Sequence, residues 1–237
     1  MLITPINILA LVFAYLIGSI PTSVWLGKFY HGIDIREHGS GNAGATNTFR
    51  IFGKKLGIIV LIADILKGWI AVKLFYVLFE SGQSVDELFN LKIRLGICAL
   101  LGHVFPIYVG FKGGKGVATL LGIILALNHQ AALMSIGVFL VVFVVTRYVS
   151  LSSIIAGLFF PVVVMVIDKT SQPAMVVFAL MISVAVIITH QKNIERLLSK
   201  KESRVNLFHR KVKQEDENGT QAKNNLEVNS IDLQQKK

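Results

Sequence analysis

One cysteine, Cys98, stands in the whole chain, inside an apolar run. A disulfide framework and a cysteine-based metal site are both excluded. Charge is scarce as well: Asp, Glu, Lys and Arg make up 16% of the 237 residues, where a typical soluble domain has about 25%. Acidic residues are the scarcer sign, 14 against 24 basic, which leaves a net charge of +10. So little polar surface cannot cover a soluble particle of this size. No basic stripe is interleaved with exposed aromatics, which argues against a nucleic-acid partner. No positively charged segment precedes the first apolar run, and that run is long enough to span, so it is expected to stay as a helix rather than be cleaved. No internal repeat is visible, which counts against an inverted-repeat transporter.

What the chain has in excess is apolar residues, 53% of the total, with a mean hydropathy of +0.63. Lipid is therefore the solvent for much of its surface. A hydrocarbon core of about 30 Å needs about 20 apolar helical residues. Seven segments approach that requirement: 6–26, 56–79, 93–109, 117–127, 131–145, 151–167 and 174–189. The fourth is too short to span upright alone. The runs are continuously apolar, as in Val138 to Val145, whereas membrane strands alternate with period two. The expected fold class is an all-α polytopic helical bundle with about seven transmembrane helices.

The basic residues set its orientation. Lys28, Arg36, Arg50, Lys54, Lys55, Lys112, Lys115 and Arg147 fall on one face, together with the C-terminal segment. Lys92, Arg94 and Lys169 fall on the other, beside Glu80, Asp86, Glu87 and Asp168. This places the N-terminus outside and the C-terminus in the cytoplasm. The expected division is a membrane-embedded domain, 1–205, and a polar cytoplasmic tail, 206–237. The tail is rich in Gln, Asn, Lys and Glu, and is expected to be disordered because it cannot bury enough surface to offset its chain entropy.

Three polar blocks on the basic face carry the chemistry. The first is Gly39-Ser40-Gly41-Asn42-Ala43-Gly44-Ala45-Thr46-Asn47, closed by Arg50. Glycine turns aim several N–H groups at one anion, hydroxyl and amide side chains add neutral donors, and Arg50 adds a planar fork suited to phosphate. A flexible linker needs none of these. The second is Gly110-Phe111-Lys112-Gly113-Gly114-Lys115-Gly116, leading into a new apolar helix whose N-terminus favours an anion. It is not a Walker A loop: Val109 stands at the first glycine position and Gly116 where Ser or Thr is needed, so no nucleotide site is implied. The bland alternative is a basic cytoplasmic turn. The third block is His190-Gln191-Lys192-Asn193-Ile194-Glu195-Arg196 with Glu202 beyond it. Helical spacing brings His190, Asn193 and Arg196 toward one face, and histidine is the side chain best suited to exchange a proton near neutral pH. Inside the second segment, Asp64 and Lys67 are spaced i, i+3 and read first as a structural ion pair. His103 reads as a structural hydrogen-bonding group before a catalytic one.

In this order the blocks resemble the bacterial acyl-phosphate-dependent glycerol-3-phosphate acyltransferases, the PlsY family. The resemblance runs from about Gly18 to Glu202. It rests on Gly18-Ser19-Ile20-Pro21, the Ser40-Gly41-Asn42 to Arg50 block, Asp64-Ile65-Leu66-Lys67-Gly68, Gly102-His103 with Phe105-Pro106, the Lys112 to Gly116 loop, and His190, Asn193 and Arg196. Lys200-Lys201 stand before Glu202, where the family often has a glycine. The resemblance implies a fatty-acyl phosphate donor, glycerol 3-phosphate as acceptor, and 1-acyl-glycerol 3-phosphate and inorganic phosphate as products. It also implies a place in phospholipid synthesis at the bacterial cytoplasmic membrane, with no metal, no nucleotide and no other cofactor. By the same resemblance and by chemistry, Ser40, Arg50, His190 and Asn193 form the catalytic set. Gly41, Asn42, Thr46, Asn47, Lys112, Gly113, Gly114, Lys115 and Gly116 are expected to bind substrate phosphate, and Asp64, Lys67, His103, Arg196 and Glu202 to support them. The proton of the attacking hydroxyl goes either to His190 or to a substrate phosphate oxygen. A carrier for phosphorylated metabolites would account for the spans and basic loops, but it needs a site near the midplane rather than three blocks on one face.

Overall fold

The computed structural model describes residues 5–77, 84–167 and 172–205. The expected tail, 206–237, lies outside them, as do the end of the second apolar segment and Glu80, Asp168 and Lys169. Every regular element among the described residues is helical. The helices are α1 (Pro5–Gly18), α2 (Thr22–His31), α3 (Ala45–Ile51), α4 (Gly53–Lys73), α5 (Val85–Val104), α6 (Val117–Leu127), α7 (His129–Thr146), α8 (Val149–Val162), α9 (Pro173–Thr189) and α10 (Gln191–Leu198). Four stretches are long and apolar enough to cross a membrane: Pro5–His31, Val85–Val109, His129–Thr146 and Val149–Val166. A fifth arises if α9 and α10, bent by 61°, count together.

The first apolar run is a broken helix rather than the continuous one expected. Pro21 has no N–H to donate and disfavours helical backbone at Ile20, so α1 stops at Gly18 and α2 restarts at Thr22. The break leaves the Ile20 carbonyl free, and buried Lys67 of α4 donates to it at 2.9 Å. The third run begins earlier than its hydropathy indicates. Ser84 and Glu87 form a reciprocal capping box that starts α5 at Val85, ahead of Lys92 and Arg94. Within the eighth helix Pro161 is followed by a π-helical turn, Val163–Ile167.

Helix α6 has 11 residues, about 16 Å at 1.5 Å per residue, so the helix by itself is shorter than a hydrocarbon core of about 30 Å. Asn128 ends it and caps α7, its side chain accepting from Ala131 N at 3.0 Å. Glycines let its backbone approach its neighbour. A side chain on Gly122 would strike the Ile65 carbonyl of α4, and one on Gly68 of α4 would strike the Thr119 carbonyl of α6. The same device joins α1 to α5, through Gly18 against Ala99 and Gly102 against Tyr15. The largest buried cluster lies among α5, α6, α8 and α9, around Ile123, Phe160, Met175 and Phe178. These contacts fix the ends of α5, α6, α8 and α9, where the polar blocks sit.

Candidate active site

The first polar block is built on a side chain that spends itself internally. Asn47 is buried; its amide donates to the Ile35 and His38 carbonyls at 3.1 and 3.0 Å, and its oxygen accepts from Ser40 N at 2.9 Å. It shapes the loop, with both amide hydrogens and the oxygen bonded within it. Ser40 and Gly41 are exposed on the rim it creates, and Asn42 is half-buried beside them. Gly39 and Gly41 turn with positive φ, +62° and +72°. Thr46 and Arg50 are exposed one helical turn apart on α3, on one face.

The second block differs from an open nest of donors. Gly113 N donates to the Val104 carbonyl at 3.1 Å and Gly114 N to the His103 carbonyl at 3.2 Å. Those two N–H groups are therefore not free for an anion. The glycines serve close packing: a Cβ on Gly114 would enter the His103 ring and one on Gly113 the His103 carbonyl. Gly116, with φ +81°, starts α6. Lys112 is exposed, and Lys115 crosses to donate to the Asn193 side-chain oxygen.

That bond joins the second block to the third. Asn193 Nδ2 donates to Glu202 Oε1 at 2.7 Å, Arg196 Nε to Glu202 Oε2 at 2.8 Å, and Ser150 Oγ to Glu202 Oε1 at 2.6 Å. One carboxylate thus ties the start of α8 to α10. Burial raises the affinity of Glu202 for a proton, but the bonds from Arg196, Ser150 and Asn193 outweigh it and hold the carboxyl below its ordinary range. Lys115 is lowered to about 8 by burial, with the Glu202 charge opposing and the Arg196 and Arg50 charges adding.

His190 lies past the end of α9, at the bend into α10, and is buried. Burial, then the Lys115 charge, lowers it to about 4. It is therefore neutral at ordinary pH. Its Nδ1 lies 2.9 Å from the Val186 carbonyl, which can only accept, so Nδ1 carries the proton and Nε2 keeps its lone pair.

Behind the loops stands a buried polar support. Lys67 pairs with Asp64 at 2.8 Å, and His103 Nδ1 meets Thr119 Oγ1 at 3.0 Å and Asp64 Oδ1 at 3.7 Å. His103 is buried against Gly114. A small cavity lined by Ser19, Ile20, Lys67, His103 and Gly113 lies where this support meets the break in the first helix.

Lys115, His190, Asn193, Arg196 and Glu202 are thus one cluster, with Arg50 close enough to act on Lys115. Ser40, Thr46 and Lys112 stand exposed outside its hydrogen bonds. Two participants carried no sequence signal. Ser150 is one serine among several in an apolar helix, and Arg36 counted only toward orientation. Arg36 Nη1 donates to the carbonyls of Val109 and Lys112 at 2.7 and 3.2 Å, joining the first block to the second.

Known proteins are similar to this chain in sequence and fold. The family model described as glycerol-3-phosphate acyltransferase matches residues 8–200. A glycerol-3-phosphate acyltransferase of Chlorobium phaeobacteroides (strain BS1) is 41% identical, over 85% of this chain and 97% of that one. One of Fusobacterium nucleatum is 41% identical, over 82% and 95%. The crystal structure of PlsY, an integral membrane glycerol 3-phosphate acyltransferase, in its glycerol 3-phosphate form superposes with a TM-score of 0.76 at 37% identity, covering 84% of this chain and 96% of that one. Its lysophosphatidic acid form gives 0.73 at 36%. With its all-helical bundle and its polar cluster at the helix ends, the chain belongs to the glycerol-3-phosphate acyltransferase family of integral membrane enzymes.

Proposed function

We propose that the protein transfers a fatty acyl group from acyl phosphate to the 1-hydroxyl of glycerol 3-phosphate at the cytoplasmic face of the bacterial inner membrane. Lysophosphatidic acid and inorganic phosphate are the products. The observation that carries the reading is the linkage of Lys115, Asn193 and Glu202, with Arg50 nearby and a neutral His190 beside it.

Both substrates bring phosphate, and Lys115, Arg50 and Arg196 supply positive charge at one place. The acyl chain needs no polar partner and remains in the bilayer. The donor is a mixed anhydride, so no covalent enzyme intermediate is needed. The acceptor hydroxyl oxygen attacks the acyl carbon, the bond from that carbon to the bridging oxygen breaks, and phosphate departs with the electron pair. Arg50 stabilises the charge on the departing phosphate, Lys115 holds the phosphate of the acceptor, and keeping the two substrates together supplies much of the rate. The hydroxyl proton passes to a substrate phosphate oxygen. His190 Nε2 accepts a hydrogen bond from the hydroxyl and orients it, but a base held at about 4 is a weak proton acceptor near pH 7.

Seven crossings, with the N-terminus outside, fit the site. Ser150 at the start of α8, Asn193 beyond α9 and Lys115 before α6 meet at one end of the bundle. An even number of crossings therefore separates each from the next, which pairs α6 with α7 and α8 with α9. The deciding assay follows phosphate release from acyl phosphate by the purified protein with glycerol 3-phosphate, in excess EDTA and without ATP. Turnover is expected there, and none with acyl-CoA as donor. Strict dependence on Mg²⁺ or on acyl-CoA would overturn the reading.

A further inference from the structure

We propose that Arg36 is a positioning residue, which sets the lysine-bearing loop in register with the first loop and so fixes where Lys115 meets the acceptor phosphate. The inference rests on the reaction assigned above.

Asp34 caps the short turn Ile35–Glu37, accepting from Arg36 N at 3.0 Å. The same carboxylate takes Arg36 Nε at 3.0 Å and Nη2 at 2.7 Å, a two-point grip that fixes the plane of the guanidinium. The opposite edge then points at the second loop, where Nη1 reaches Val109 O at 2.7 Å and Lys112 O at 3.2 Å. These carbonyls bracket Gly110 and Phe111, both with positive φ, +69° and +58°. Phe111 is not a glycine, so this turn is a backbone strain that needs outside support. Lys115 lies three residues beyond Lys112.

The other side of the clamp is as well anchored. The carbonyls on either side of Arg36, those of Ile35 and His38, receive the Asn47 amide. A displacement of Arg36 therefore moves the rim that carries Ser40. Four of the five guanidinium N–H donors are taken by these partners, so Arg36 is a joint and not itself a phosphate ligand. The Arg36 side chain holds the Asp34 carboxyl well below the usual carboxylate range, and the pair stays ionised wherever the enzyme works. A lysine retains the charge but has no second edge with which to hold two carbonyls.

The test is the steady-state kinetics of Arg36→Lys, with Lys28→Ala as control. Lys28 also faces Asp34, at 3.5 Å, but touches neither loop carbonyl. For Arg36→Lys, KM for glycerol 3-phosphate is expected to rise about tenfold or more, with kcat within about threefold and KM for the acyl donor within about twofold. Lys28→Ala is expected to match wild type. An unchanged acceptor KM in folded Arg36→Lys, or a fall in kcat alone, would overturn the inference. If Arg36→Lys does not fold, Asp34→Asn, which frees the guanidinium plane, decides by the same criterion. Failure of both to fold would assign the pair to stability and overturn positioning. Should wild type not turn over at all, the reaction assignment falls instead, and the clamp is then judged by Kd for glycerol 3-phosphate in the same variants.

Discussion

His190 and Lys115 give the active site opposite pH limits. The imidazole is held at about 4 against an ordinary 6.5, so it stays neutral through the range in which a phosphate monoester takes its second proton, near pH 6. An acidic limb near pH 6 therefore belongs to the substrate. His190→Ala is expected to raise KM for glycerol 3-phosphate while that limb survives. Lys115, at about 8, loses its charge as pH rises, so kcat/KM is expected to fall above pH 8, and Lys115→Arg to move the fall upward. One pH–rate series on the three proteins checks both limits. Disappearance of the acidic limb in His190→Ala, with kcat down about 100-fold or more, would return the general base to His190. The same histidine also links folding to pH. Its folded value lies below the unfolded one, so the unfolded chain takes up a proton first. Its contribution to stability is present above pH 6.5 and is lost as pH falls toward 4.

At the scale of elements, α6 depends on α4. Gly122 rests on the Ile65 carbonyl, and α6 begins directly after the lysine loop. Gly122→Leu is expected to push the helices apart, costing about 1–3 kcal/mol as overpacking does, and to weaken acceptor binding because Lys115 moves with the helix. A thermal melt in detergent, read beside KM, tests this; an unchanged melt would mean that the contact is slack. The helix itself was legible as an apolar run, and so were the Gly–Lys loop, the His190 block and the Asp64–Lys67 pair, since each is written in adjacent residues. What was not legible depends on partners far along the chain. The Gly113 and Gly114 N–H groups look free in sequence and are taken by carbonyls at the end of α5. Asn47 looks like a ligand and is consumed by its own loop. Ser150 acquires its role only because Glu202 folds back to it across 52 residues. The break at Pro21 was written in the sequence as plainly as the run around it, but hydropathy averages over a single proline.

For the molecule as a whole, the charges of α4 bear on how the chain enters the membrane. Asp64 and Lys67 pair in the middle of this helix and are almost fully buried. On an insertion scale each costs roughly 2.5–3.5 kcal/mol at a helix centre. Alone, α4 would carry both, and its lysine would lack the Ile20 carbonyl that it meets in the bundle. The helix that supports the site from behind is thus poorly able to partition into lipid by itself, and it needs beside it the broken first helix and α5, whose His103 faces Asp64. Insertion is then a matter of assembly order: α4 waits at the interface until neighbours can receive its charges. Single-cysteine labelling on a Cys98→Ala background reads this together with orientation. In the full chain Lys54→Cys is expected to react only from the cytoplasmic side and Val85→Cys only from outside. In a chain ending just after Val85→Cys, that cysteine is expected to react from the cytoplasm, because without α5 the charged helix has not crossed. Outside labelling of the shortened chain would mean that the ion pair and the broken first helix already suffice to carry α4 through the bilayer, without α5.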